Sequence, residues 1–212
     1  MDPRDLDRDV AGAASAHQRL LATLDAANEV GALDPERPCA LPGWSVGHLL
    51  THLARHADSA VRALDGEPQY ESGATGRAAD IEAGAHRDAA SLVADVRSSI
   101  WRLEGRWAAP VDWEATSVTP SGAALPVADV PFRRWREVEV HHVDLELGTT
   151  FEDLPAEYVR LELRRMEMAW RARKPMGMTG LPPAALAVAP THRLAWLLGR
   201  AEIPGLGDAG VF

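Results

Sequence analysis

The chain has one cysteine, one lysine among 22 basic residues, and no apolar run long enough to cross a bilayer. Each scarcity closes a class of reading. Cys39 has no partner in the chain, so no intrachain disulfide can form, as expected of a cytoplasmic protein. The nearest approaches to an apolar span are short stretches such as Ala184 to Ala189, far below the roughly 20 residues that a spanning helix needs. No charged-then-apolar leader opens the chain at Met1-Asp2-Pro3-Arg4, which adds to the cytoplasmic expectation. Positive charge is also in short supply: 22 Lys plus Arg stand against 31 Asp plus Glu, a net charge of −9. Such a balance makes a poor partner for nucleic acid or an anionic membrane surface. The lone lysine, Lys174, is the usage expected of a GC-rich genome.

What is present is enough for one ordinary domain with a core, or a domain plus a small appendage: 212 residues, 46% hydrophobic and 25% charged. Apolar residues at helical spacing predict a first helix from Asp5 to Asn28, ended by the Pro-rich loop Gly31 to Gly43. Ser45 offers an N-cap for a second helix, Val46 to Leu64, closed by Asp65-Gly66-Glu67-Pro68. A third helical region is expected from about Ala78 to Trp107, with a break near Gly84. Asp112 to Val127 reads as a loop or short hairpin, and a fourth helix begins at Ala128-Asp129 and ends near Gly148. Further helices are expected at about Pro155 to Arg173 and Thr191 to Arg200, separated by a Gly/Pro-rich stretch from Pro175 to Pro183. The fold class is mainly α: a four-helix bundle over 1–150, and a small, mostly irregular α(+β) cap region over 151–212.

The fourth helix carries a polar stripe. At about 100° per residue, Glu137, His141 and Asp144 fall within about 60° of one another, with apolar residues on both edges. Glu139 and Glu146 fall on the opposite side, which reads as the solvated one. Ionised groups on a buried face cost several kcal/mol unless partnered, so the stripe calls for a cation, an arginine such as Arg133 or Arg134, or water. On the second helix His48, His52 and His56 recur every four residues. Two histidines at that spacing can reach one metal, and with Glu137 and His141 they supply enough ligands for a site of three protein ligands and an open position. They also lie roughly opposite an apolar stripe of Val46, Leu50, Leu53, Ala57, Val61 and Leu64, as rim histidines would. Spacing does not say which of the three coordinates. His17, His86, His142 and His192 read as structural or exposed, and Cys39 as structural or incidental.

Two blocks together are more specific than either helix. Leu41-Pro42-Gly43-Trp44-Ser45-Val46-Gly47-His48-Leu49-Leu50-Thr51-His52-Leu53 and Arg136-Glu137-Val138-Glu139-Val140-His141-His142-Val143-Asp144-Leu145 resemble the mycothiol-dependent maleylpyruvate isomerase family, within the DinB-like metal-binding four-helix bundles. The resemblance implies zinc, or another divalent metal, on His52, Glu137 and His141, with Asp144 as an acidic neighbour. Ala195-Trp196-Leu197-Leu198-Gly199-Arg200 is similar to a family segment that covers the site, and makes Arg200 the partner of a substrate carboxylate. It also implies mycothiol as a cofactor, and an actinobacterial source would fit the lone lysine. The activity implied is cis–trans isomerisation of maleylpyruvate or a similar unsaturated carboxylate: thiolate addition, rotation and elimination. A mycothiol S-transferase and a non-catalytic metal- or ligand-binding bundle stand as alternatives.

Overall fold

The computed structural model describes residues 3–173 and 180–210. Of the Gly/Pro-rich stretch expected over 175–183, residues 175–179 lie outside the described residues. The chain divides into two compact units, Met1–Leu147 and Gly148–Phe212.

In the N-terminal unit, helices α1 (Pro3–Glu29), α2 (Val46–Leu64), α4 (Ala89–Ala108) and α5 (Val130–Asp144) form the bundle. α2 packs on α4, α4 on α1, α1 on α5 and α5 on α2, so the four close into a ring. Its interior is aliphatic, with Leu20, Leu24, Leu49, Leu50, Leu53, Leu92, Leu103 and Val138 fully buried. α3 (Gly73–Ala85) stands outside the ring, laid against α2. The expected third helix is thus two helices. The break falls just beyond Gly84, at 86–88, where the Asp88 carboxylate accepts the Ser91 N–H at 2.9 Å and caps α4. Gly84 lies inside α3, where a Cβ would come within 2.5 Å of the Thr51 side chain. The 112–127 segment holds the hairpin β1 (Thr116–Val118) and β2 (Ala124–Pro126), antiparallel, with Ser117 opposite Leu125. α5 ends at Asp144 rather than near Gly148, since Glu146 takes a left-handed φ of 53°.

The start of α2 is tightly built. The Ser45 hydroxyl accepts the His48 N–H, and the His48 Nδ1 accepts the Ser45 N–H, a reciprocal capping box. The preceding loop is tied on by Val46 N–H to the Arg37 carbonyl at 2.9 Å and Gly47 N–H to the Pro35 carbonyl at 2.8 Å. Gly47 also lets the end of α3 come close: a Cβ there would sit 2.0 Å from the Ala85 carbonyl oxygen.

The C-terminal unit is more regular than expected. It holds α6 (Ala156–Ala172), α7 (Pro183–Ala187) and α8 (Pro190–Leu197), with α6 packed on α8 and the Trp170 and Trp196 rings 5.3 Å apart. No strand occurs in this unit among the described residues. No helix among the described residues is long and apolar enough to cross a membrane.

Candidate metal centre

His52 lies in the middle of α2, while Glu137 and His141 stand one turn apart on α5, and the packing of α2 on α5 brings the three together. His52 Nε2 is 2.9 Å and His141 Nε2 3.3 Å from the same oxygen, Glu137 Oε2. The two imidazole rings stand nearly perpendicular, at 86°, with centroids 5.0 Å apart. One donor atom from each residue lies within 4.8 Å of the other two. Ligands on a tetrahedral ion with bonds of about 2.0–2.1 Å stand roughly 3.3 Å apart, so this nitrogen, nitrogen and oxygen set fits a zinc-like divalent metal. Asp144 Oδ2 accepts from His141 Nδ1 at 2.9 Å, the carboxylate support that orients a ligating imidazole.

Burial and charge divide the protonation states. Burial alone would raise the Glu137 carboxyl, but His56 and the bonds from His141 and His52 outweigh it and hold the group well below the usual carboxylate range. Burial pushes His52 down to about 4, and the attraction of Glu137 only partly offsets this. His141 goes the other way: against the cost of burial, its bonds to Asp144 and Glu137 raise it to about 9. At neutral pH the set therefore carries an anionic Glu137, a neutral His52 and a protonated His141.

The three histidines of the expected α2 stripe part company. His52 is only 2% exposed, so the rim reading is wrong for it: α5 covers the side of α2 that amphipathicity assigned to solvent. His56 Nε2 is 3.9 Å from Glu137 Oε1, while its Nδ1 faces the buried guanidinium of Arg134 at 3.4 Å. Burial pushes His56 down to about 3. Arg134 is also bonded to the Leu53 carbonyl and to His17 Nε2, each at 2.9 Å. His48 points to a separate cluster with Glu82 and His86. Glu139, expected on the solvated face, is 1% exposed, bonded by Arg19 and by the Trp135 indole N–H at 2.8 Å. The bundle places α1 against that face, whereas Glu146, beyond the helix, is exposed as expected.

A cavity of about 320 Å³ opens on the centre, lined by His52, His56 and Glu137 together with Tyr70, Arg77 and Arg133. Arg77, from α3, donates to His52 Nδ1 at 3.1 Å. Neither arginine was singled out for this cavity from the sequence. Arg133 stands beside the polar stripe in sequence, but Arg77 comes from an element with no local signal. Cys39 lies in the loop before α2, its thiol pushed up by burial, in keeping with an incidental role. Arg200 belongs to the C-terminal unit, where its Nη1 donates to the Leu198 carbonyl at 2.7 Å. Within that unit it lines a cavity of about 340 Å³ with Thr150, Thr191 and His192.

Residues 10–146 match the family profile described as the mycothiol maleylpyruvate isomerase N-terminal domain. Among solved structures, the chain is similar to the mycothiol-dependent maleylpyruvate isomerase, with a TM-score of 0.75 and 21% identity over 92% of this chain and 90% of that one. A histidine-to-alanine mutant bearing the same name matches with the same values. At that identity the likeness bears on the fold. No curated protein sequence matches.

Proposed function

The chain belongs to the mycothiol maleylpyruvate isomerase N-terminal domain family, and we propose that it is a zinc- and mycothiol-dependent cis–trans isomerase. Its substrate in this reading is maleylpyruvate or a similar unsaturated carboxylate, isomerised by thiolate addition, rotation about the resulting single bond, and elimination. The observation that carries the reading is the convergence of His52, Glu137 and His141 beside a cavity that His52 and Glu137 line together with arginines.

His52 Nε2, Glu137 Oε2 and His141 Nε2 would hold the metal, which supplies when bound a positive centre that favours a thiolate over a thiol. Asp144 orients His141 through its Nδ1 and keeps the Nε2 aimed at the ligand position. Arg77 and Arg133 give the cavity the positive charge that an anionic substrate needs, against a chain whose overall charge is negative. Arg200 is assigned the substrate carboxylate, for which its planar fork of donors is suited. With Cys39 the sole cysteine and buried toward the thiol form, the sulfur nucleophile comes from outside the chain.

Metal analysis of the wild type and of His52→Ala tests the first half: stoichiometric metal in the former and its loss in the latter are expected, and a metal-free wild type overturns the reading. Incubation with mycothiol and maleylpyruvate, followed by ultraviolet absorbance, tests the second. Turnover without thiol consumption supports the isomerase. A stable conjugate indicates an S-transferase instead, and neither product indicates a binding module.

A further inference from the structure

One turn before His52, α2 presents a second histidine whose surroundings repeat the geometry of the metal centre. Glu82, in the last turn of α3, places Oε2 at 3.3 Å from His48 Nε2 and Oε1 at 3.7 Å from His86 Nε2. The His48 and His86 rings stand at 83° with centroids 5.6 Å apart, close to the 86° and 5.0 Å of His52 and His141. One donor atom from each of His48, Glu82 and His86 lies within 4.8 Å of the other two. The carboxylate support repeats at one of the two histidines. Glu36 Oε1 faces His86 Nδ1 at 3.3 Å, as Asp144 faces His141, and the Ser45 hydroxyl lies 2.8 Å from His48 Nδ1. His86 thus has a carboxylate acceptor on the nitrogen that does not face the cluster, as ligation through Nε2 requires, whereas His48 Nδ1 accepts the Ser45 N–H in the capping box and on ligation would exchange that bond for donation to the adjacent Ser45 hydroxyl.

From this geometry we infer that His48, Glu82 and His86 form a second site for a divalent transition metal, separate from the centre on α5. Two imidazoles and one carboxylate select an ion of the Zn²⁺ class over Mg²⁺ or Ca²⁺, which prefer all-oxygen sets. The site joins three segments: the loop through Glu36, the first turn of α2 through His48, and the end of α3 through Glu82 and His86. Gly47 is what lets them meet, since a Cβ there would clash with the Ala85 carbonyl oxygen at 2.0 Å. α3 needs such a fastening. Only Ile81 and Ala85 are buried along its length, so apolar packing holds it weakly. It also carries Arg77, the donor to His52 Nδ1, so a metal at the outer site would steady one wall of the cavity. Because Glu82 and His86 are more than half exposed, the site is open to solvent and binds more weakly than the inner one.

The site does not depend on the reading of the inner centre, and the two are separated by variants. The metal-free protein is titrated with Zn²⁺ against a chromophoric chelator. Two equivalents are expected in the wild type, one of them weaker by tenfold or more. His86→Ala and Glu82→Gln should each lose the weaker equivalent and keep the tighter, His52→Ala should do the reverse, and His192→Ala, at an exposed histidine of the other unit, should keep both. Hydrogen exchange of the α3 amides should slow as the weaker equivalent binds, and not in His86→Ala. A single equivalent up to 100-fold excess Zn²⁺, a weaker equivalent that survives both His86→Ala and Glu82→Gln, or binding without added protection of α3 overturns the proposal.

Discussion

Because His141 is held protonated to about pH 9, a metal reaching Nε2 must displace that proton, and metal affinity should follow pH well above the ordinary histidine range. The sign is fixed by the direction of the shift. A histidine whose pKa is raised on folding contributes stability that is full below about 6.5 and is lost as pH rises through about 9. The displacement corresponds to about 3–4 kcal/mol at most in the metal-free protein. Glu137 is already anionic and His52, held near 4, already neutral, so neither adds a proton to the exchange at neutral pH. The metal dissociation constant should therefore fall about tenfold per pH unit from 6.5 to 9 and flatten beyond. Calorimetric titration of the metal-free protein at pH 7.5, in two buffers of different ionisation enthalpy, counts the protons released. Removing the Asp144 carboxylate as Asp144→Asn takes away one of the groups that outweigh burial at His141, so its pKa should move toward the ordinary value. Glu137 still raises the group in the variant, which should release fewer protons than the wild type, and this difference cancels protons released elsewhere. Equal release by the two proteins, or a wild-type affinity that stops changing above pH 7, would refute the assignment of the proton to His141.

Gly47→Ala would set a Cβ only 2.0 Å from the Ala85 carbonyl oxygen, so a loss of about 1–3 kcal/mol is expected in urea unfolding. An unchanged midpoint would mean that α3 is free to move off α2. Arg77→Ala removes a charged donor from the cavity and should raise KM for a carboxylate substrate about tenfold or more. The same change should leave metal binding intact or tighten it, because ligation through His52 Nε2 puts a proton on Nδ1, where Arg77 now donates. A weakened metal site in that variant would contradict this. Arg200→Ala should raise KM with metal content unchanged, and unaltered steady-state kinetics would remove Arg200 from substrate binding.

What the sequence made legible follows from how local each signal is. α2 has the bounds expected of it because its start is written in Ser45 and its end in Asp65-Gly66. Glu137 and His141 could be paired in advance because four residues on one helix fix their relation. Their partner could not be, since choosing His52 over His48 and His56 needs the register of α2 against α5, which only the resemblance supplied. Glu139 was misplaced for a related reason. A helix-face argument assumes one buried side, while α5 meets α2 on one flank and α1 on another. The division at Asp88 was readable, as an aspartate three residues before Ser91 is an N-cap signal inside an Ala-rich run. α7 likewise had its Pro182-Pro183 start. Arg77 had no such signal: its place on the cavity depends on the close approach that Gly47 and Gly84 permit.

The deeper reason that spacing could not choose among the α2 histidines is that ligation depends on both ring nitrogens, and sequence shows neither. An imidazole that binds through Nε2 carries its proton on Nδ1 and needs an acceptor there. His141 has Asp144 for this purpose. His56 has the opposite: the Arg134 guanidinium, itself fixed by the Leu53 carbonyl and His17 and wholly buried, faces its Nδ1 and can only donate. His56 must then keep its proton on Nε2, toward Glu137, and serves the centre as a neutral neighbour rather than as a ligand. His52 also meets a cation at Nδ1, but Arg77 stands on the cavity wall on a helix with little apolar anchorage, so it can withdraw where Arg134 cannot. Between two histidines one turn apart, the decision rests on whether the arginine behind each is free to leave.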